Sequence, residues 1–127
     1  MCPRFSLKYA SQDVREFYGL RDESLDFRPR FNIRPTQQVA AVRHGETGRE
    51  LFSAAWWLVP PWADSPNPKY PMFNARAESL LERKAYAEPA QKKRYLIPMS
   101  GWFEWHRDGK INQPYHFTLK SQDQFAA

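Results

Sequence analysis

Eleven prolines are scattered through 127 residues, and they constrain the fold more than any other feature. Proline fixes φ and lacks an N–H, so it ends helices and is kept out of central ladder positions. A chain punctuated this way folds into short strands and turns rather than long regular elements. Residues 4–9 read as an extended segment. Residues 11–19 read as a short helix, with Ser11 or Asp13 as its cap and Val14, Phe17 and Tyr18 on one side. An extended stretch over 31–38 is broken by Pro35, and strands over 39–43 and 50–58 flank the turn His44-Gly45-Glu46-Thr47-Gly48. Five prolines make 60–71 a loop that also holds Trp62. Residues 79–93 lean towards helix, with Ser79 and Glu82 spaced as a capping box and Pro89 set to break or restart it. Strands follow over 95–99 and 102–106, and Asp108-Gly109 is a hairpin turn into a strand over 113–120. The class is α+β, dominated by antiparallel strands.

The length favours one domain, spanning 1–127. Tyr115, Phe117 and Leu119 alternate as a half-buried strand should, yet the chain stops at Ala127 without a closing element, which reads as the N-terminal part of a longer domain. No apolar run approaches the roughly 20 residues that cross a bilayer. No leader pattern opens the chain either. The expectation is a cytoplasmic, monomeric protein without a membrane partner. Net charge is +5, which favours anionic partners such as nucleic acid. Aromatic residues are 16% of the chain, with five Trp. Such rings either pack a small core or stack on exposed bases.

The single cysteine is Cys2, which excludes an internal disulfide and leaves no Cys-based metal cluster; neither a metal nor a cofactor is expected. With Met1 removed, Cys2 would carry a free α-amine beside its thiol. An amine of this type is partly neutral at physiological pH and condenses with an aldehyde, and the thiol then closes a five-membered thiazolidine. The alternative is a small apolar residue tucked under the first strand. In Gly101-Trp102-Phe103-Glu104-Trp105-His106, strand alternation puts Trp102, Glu104 and His106 on one face and Phe103 and Trp105 on the other. A carboxylate among rings loses hydration, its pKa rises, and it suits acid–base work, unless Glu104 simply faces solvent. Asn74 and Arg76 offer an amide and a guanidinium two residues apart. They serve either as an orienting group and a phosphate fork or as a turn cap and a partner of Glu78. His106 and His116 read as surface residues.

Taken in order, Met1-Cys2-Pro3-Arg4-Phe5, Phe31-Asn32-Ile33-Arg34-Pro35-Thr36, Trp56 to Trp62, Asn74-Ala75-Arg76-Ala77-Glu78 and Gly101-Trp102-Phe103-Glu104-Trp105 resemble the SOS-response-associated peptidase (SRAP) family. The resemblance implies a barrel-like β structure with short flanking helices. It implies a protein that shields abasic sites in single-stranded DNA by capturing the sugar aldehyde on the aminothiol. By motif position Cys2 is then the nucleophile, Asn74 orients it and Glu104 shuttles protons. Arg4 and Arg76 grip phosphates, while Trp56 and Trp62 stack or wedge against bases. Pro3 and Trp57 stand where the family usually has Gly, and nothing here matches the family's later catalytic His. The family's name supplies an alternative, a cysteine peptidase acting on peptides or on its own N-terminus. A non-covalent single-strand binding module is the third reading.

Overall fold

The computed structural model describes residues 3–21, 23–67, 69–121 and 123–127. Its centre is β1 (Arg4–Leu7), whose Phe5, Ser6 and Leu7 are all buried. A strand this buried must be paired on both sides, and it is: the order of the four-stranded sheet is β2 (Arg30–Ile33), β1, β6 (Gly101–Asp108), β7 (Ile111–Phe117). All its pairings are antiparallel. A hairpin of β3 (Gln38–Gly45) and β4 (Gly48–Ala55) runs in unbroken register from Gln38↔Ala55 to Gly45↔Gly48, so the turn narrows to Glu46 and Thr47. Val42 bridges to Leu96, and β5 (Pro98–Met99) pairs with β8 (Phe125–Ala126). The residues at the end of the chain therefore form a ladder that their sequence did not announce. The core is Phe5, Leu7, Val14, Leu20, Ile33, Val39, Val42, Leu51 and Met99. The sheets are antiparallel and open, none closed into a barrel. The α+β class stands.

Helix α1 (Ser11–Tyr18) forms where expected and ends on Gly19 at φ 64, a left-handed cap for which glycine is suited. Its first turn is closed from Ala10, whose N–H donates to Asp13 Oδ2 at 3.0 Å; Ser11 instead donates its hydroxyl to Asp26. Val14 is buried, whereas Phe17 lies exposed against Tyr18. The helix expected over 79–93 is shorter. Ala77–Ser79 is a 3-10 turn, and α2 spans Lys84–Lys92 with Arg83 at its cap and no side-chain capping bond. Ser79 and Glu82 thus lie ahead of the helix, too early to cap it. Pro89 sits inside α2 without ending it. No residue of this helix is buried, so the chain can absorb the missing N–H at a surface where water serves the freed carbonyl. Every residue of β7, an edge strand among the described residues, is exposed; the half-buried alternation expected around Tyr115 and Phe117 is not realised.

Candidate functional site

Cys2 lies outside the described residues, so the site is built from its neighbours. The Pro3 carbonyl accepts a hydrogen bond from Trp56 Nε1 at 3.1 Å. Trp56 is half-buried, edge-on against Phe5 with ring centroids 5.2 Å apart. Its backbone is held too: its N–H donates to the Gln37 carbonyl at 2.9 Å, and its own carbonyl accepts from Thr36 at 3.2 Å. The indole spends its N–H on the Pro3 carbonyl and packs against Phe5, both at the start of β1. It is a positioning group for the N-terminal segment rather than a ring standing free in solvent.

One residue on, β1 meets β6 through Arg4↔Phe103 and Phe5↔Trp102. That pairing brings Arg4 to Glu104 across a sequence gap that no local pattern spans. Pro3, Arg4, Glu104, Trp105, Arg107 and Asn112 line an open cleft of about 550 Å³. The Arg4 guanidinium lies 5.9 Å from the Trp105 ring centroid and reaches Asn32 Oδ1 at 3.4 Å. Glu104 is half-buried and in register with Tyr115. The alternation expected of β6 holds: Trp102 stacks on Phe117, while Phe103 contacts Trp105 and stacks on His116. Arg4 and Arg107 bring two guanidinium groups to this cleft, which suits a phosphate. Glu104 also lines it, and a carboxyl group there can exchange protons with the oxygen or nitrogen on a carbon held near Pro3.

Other expected site residues lie elsewhere. Asn74 lines a separate hollow of about 1000 Å³ that Trp56 also walls, and its carbonyl accepts from the Tyr86 hydroxyl at 3.0 Å. Arg76 is exposed at the start of the 3-10 turn. Trp62 is 59% exposed with Lys84 Nζ 5.3 Å from its ring, in a third hollow of about 670 Å³ shared with Trp57 and Tyr70. Neither Arg76 nor Trp62 lines the cleft beside Pro3. Arg107 and Asn112 stand in none of the motifs, and Trp105 stands in one without an expected role of its own. Counting register back from the Asp108-Gly109 turn would have paired Arg107 with Asn112, and alternation would have put both on the Trp105 face. Among the described residues no helix is long and apolar enough to cross a membrane, and no group of three or more His, Cys, Asp or Glu is placed to hold a metal.

A fold of short antiparallel strands that sets an arginine, a glutamate and the anchored start of the chain around one cleft has relatives. Residues 1–127 match the model of the SOS response associated peptidase (SRAP) family, and the chain belongs to that family. It is 35% identical over 130 residues to the abasic site processing protein YoaM of Bacillus subtilis (strain 168), covering 99% of this chain and 57% of the relative. It is 28% identical over 120 residues to the abasic site processing protein YedK of Escherichia coli (strain K12), covering 91% of this chain and 52% of the relative. The chain thus spans little more than half the length of these curated relatives. A crystal structure of a protein from Bacteroides thetaiotaomicron superposes with a TM-score of 0.81 at 24% identity, over 98% of this chain and 57% of the other, which establishes the shared fold.

Proposed function

We propose that this chain captures abasic sites in single-stranded DNA covalently, as a thiazolidine on Cys2. The observation that carries the reading is the anchoring of Pro3, the residue bonded to Cys2, in one cleft with Arg4 and Glu104. Family membership supports it, as do relatives named for abasic site processing. In this reading the Cys2 amine adds to the sugar aldehyde, and the resulting carbinolamine loses water to give a Schiff base. The thiol sulfur then bonds to the same carbon, its proton passing to the nitrogen. One water leaves and one ring forms, with no oxidant or reductant required. Glu104 donates to the departing hydroxyl and returns as a base, Arg4 holds the phosphate beside the lesion, and Asn74 orients the nucleophile. Arg76 and Trp62 contact the strand beyond the cleft.

Mixing the protein with a single strand carrying one abasic site should give a band that survives denaturant, absent with undamaged DNA. Glu104→Gln should slow its appearance by about 10²–10⁴-fold, the usual worth of general acid–base help, with affinity for undamaged strands retained. A time course at saturating protein reads both. An unchanged rate would remove Glu104 from the chemistry.

A further inference from the structure

In β1 alternate residues stand on one side of the sheet, so Ser6, and Lys8 just past the strand's end, follow Arg4 along one line at steps of roughly 6.6–6.8 Å. Beyond Arg4 on this line lies a second cleft, of about 360 Å³, lined by Ser6, Lys8, Phe31, Ser100, His116 and Thr118. Its floor is a closed polar network. Ser6 and Ser100 are only 2% and 4% exposed, yet each hydroxyl is engaged. Ser6 Oγ lies 2.9 Å from His116 Nε2 and 3.3 Å from Ser100 Oγ. Ser100 Oγ accepts from the Lys8 N–H at 2.9 Å and donates to the Ser6 carbonyl at 3.1 Å.

The imidazole is seated as deliberately as the hydroxyls. Phe103 stacks on it with centroids 4.5 Å apart. It reaches Ser6 only because Gly101 has no side chain: a Cβ there would collide with His116 Nε2 and stand 2.6 Å from the Phe117 carbonyl. His116 and Thr118 both line the cleft and both are exposed. The Lys8 ammonium rests over the Tyr9 ring, 5.2 Å from its centroid. No carboxylate is among the residues lining this cleft. Phe31 completes it as a large ring 67% exposed on a backbone held in β2. Cationic and hydroxyl donors without an acid, beside an exposed rigid ring, match a phosphate with a base attached to it.

We propose that this second cleft is a phosphodiester subsite: Lys8, His116 and Thr118 hold one phosphate of a DNA strand, and Phe31 stacks the adjoining base. Arg4 and Lys8 are four residues apart in extended chain, roughly 13 Å, so the strand would cross from the first cleft to the second over Phe103 and His116. The proposal rests on the single-strand reading above and specifies where the flanking nucleotides go.

Fluorescence anisotropy of the intact protein with undamaged oligothymidylates, at several salt concentrations, tests it. Lys8 and Phe31 lie outside the core, so their alanine variants should fold, which circular dichroism checks. Lys8→Ala should flatten the log–log salt dependence by about 0.7. Phe31→Ala should weaken binding by about 5- to 150-fold without altering that slope. Both effects should vanish with a dinucleotide too short to leave the first cleft. If Arg4→Ala weakens binding while Lys8→Ala and Phe31→Ala behave as wild type, the subsite is overturned and the first cleft stands. If wild-type protein binds no oligothymidylate at all, the single-strand reading falls and takes the subsite with it.

Discussion

Cys2→Ala should abolish the denaturant-resistant conjugate with abasic single-stranded DNA and leave binding to undamaged strands unchanged. The alanine variant keeps an α-amine and can still condense with the aldehyde, but a Schiff base hydrolyses on denaturation. Only the thiol converts it to a ring. The variant should therefore give a conjugate when borohydride reduces the imine during the reaction, and none without it. Leaving any residue ahead of Cys2 should be worse, because the amine becomes an amide and neither step can begin. Arg4 and Glu104 are untouched by these changes, so a loss confined to covalent capture would separate chemistry from binding. Full conjugate from Cys2→Ala without reductant would assign the reaction to another nucleophile.

Gly101→Ala should be the most damaging single methyl group in the described structure. Gly101 opens β6 opposite Ser6, in register with β1. Its added Cβ would stand 2.6 Å from a backbone carbonyl, that of Phe117, and within the imidazole of His116. The imidazole can swing away, but then the buried Ser6 hydroxyl loses one of its partners, at a cost of about 0.5–1.5 kcal/mol. The carbonyl can move only by opening the β6–β7 ladder where Trp102 faces Phe117. Overpacking of this kind costs about 1–3 kcal/mol more. Urea unfolding should show a lowered midpoint, partly restored by pairing Gly101→Ala with His116→Ala. An unaltered midpoint in Gly101→Ala would mean that the ladder has slack these distances do not show.

Local chemistry made the hairpins and α1 legible: Gly19, Gly48 and Gly109 mark turns with positive φ, and alternation sorted the faces of β6 correctly. What escaped was set by contacts distant in sequence. Residues 96–99 pair with Val42 on one side and with the last residues of the chain on the other, and neither partner is announced by periodicity. The indole of Trp56 was legible as an aromatic near a proposed site but not as the clamp on Pro3, because that hydrogen bond spans 53 residues. The helix over 79–93 was overextended for a different reason. Ser79 and Glu82 carry a helix-start spacing, yet Ser79 ends a 3-10 turn, Glu82 lies in the turn that follows, and the helix begins five residues after Ser79.

The candidate site was legible in its parts rather than its assembly. Glu104 stands out by residue type and motif position and Arg4 by motif position alone, but the cleft exists only because β1 pairs with β6. The resemblance has Asn74 orient Cys2; in the structure Asn74 lines a neighbouring hollow that Trp56 also lines. His116 looked like a surface residue, and it is exposed. What the sequence did not disclose was its bond to a buried serine 110 positions away.

The central claim is that Cys2 joins to the lesion through both its nitrogen and its sulfur, and intact-mass analysis of the unreduced conjugate followed by tryptic mapping tests it most directly. The account predicts a mass equal to the protein without Met1 plus the abasic strand less one water, with the DNA on the peptide of residues 2–4 and stable without borohydride. A conjugate mapped to a lysine peptide, or one recovered only after reduction, would contradict it.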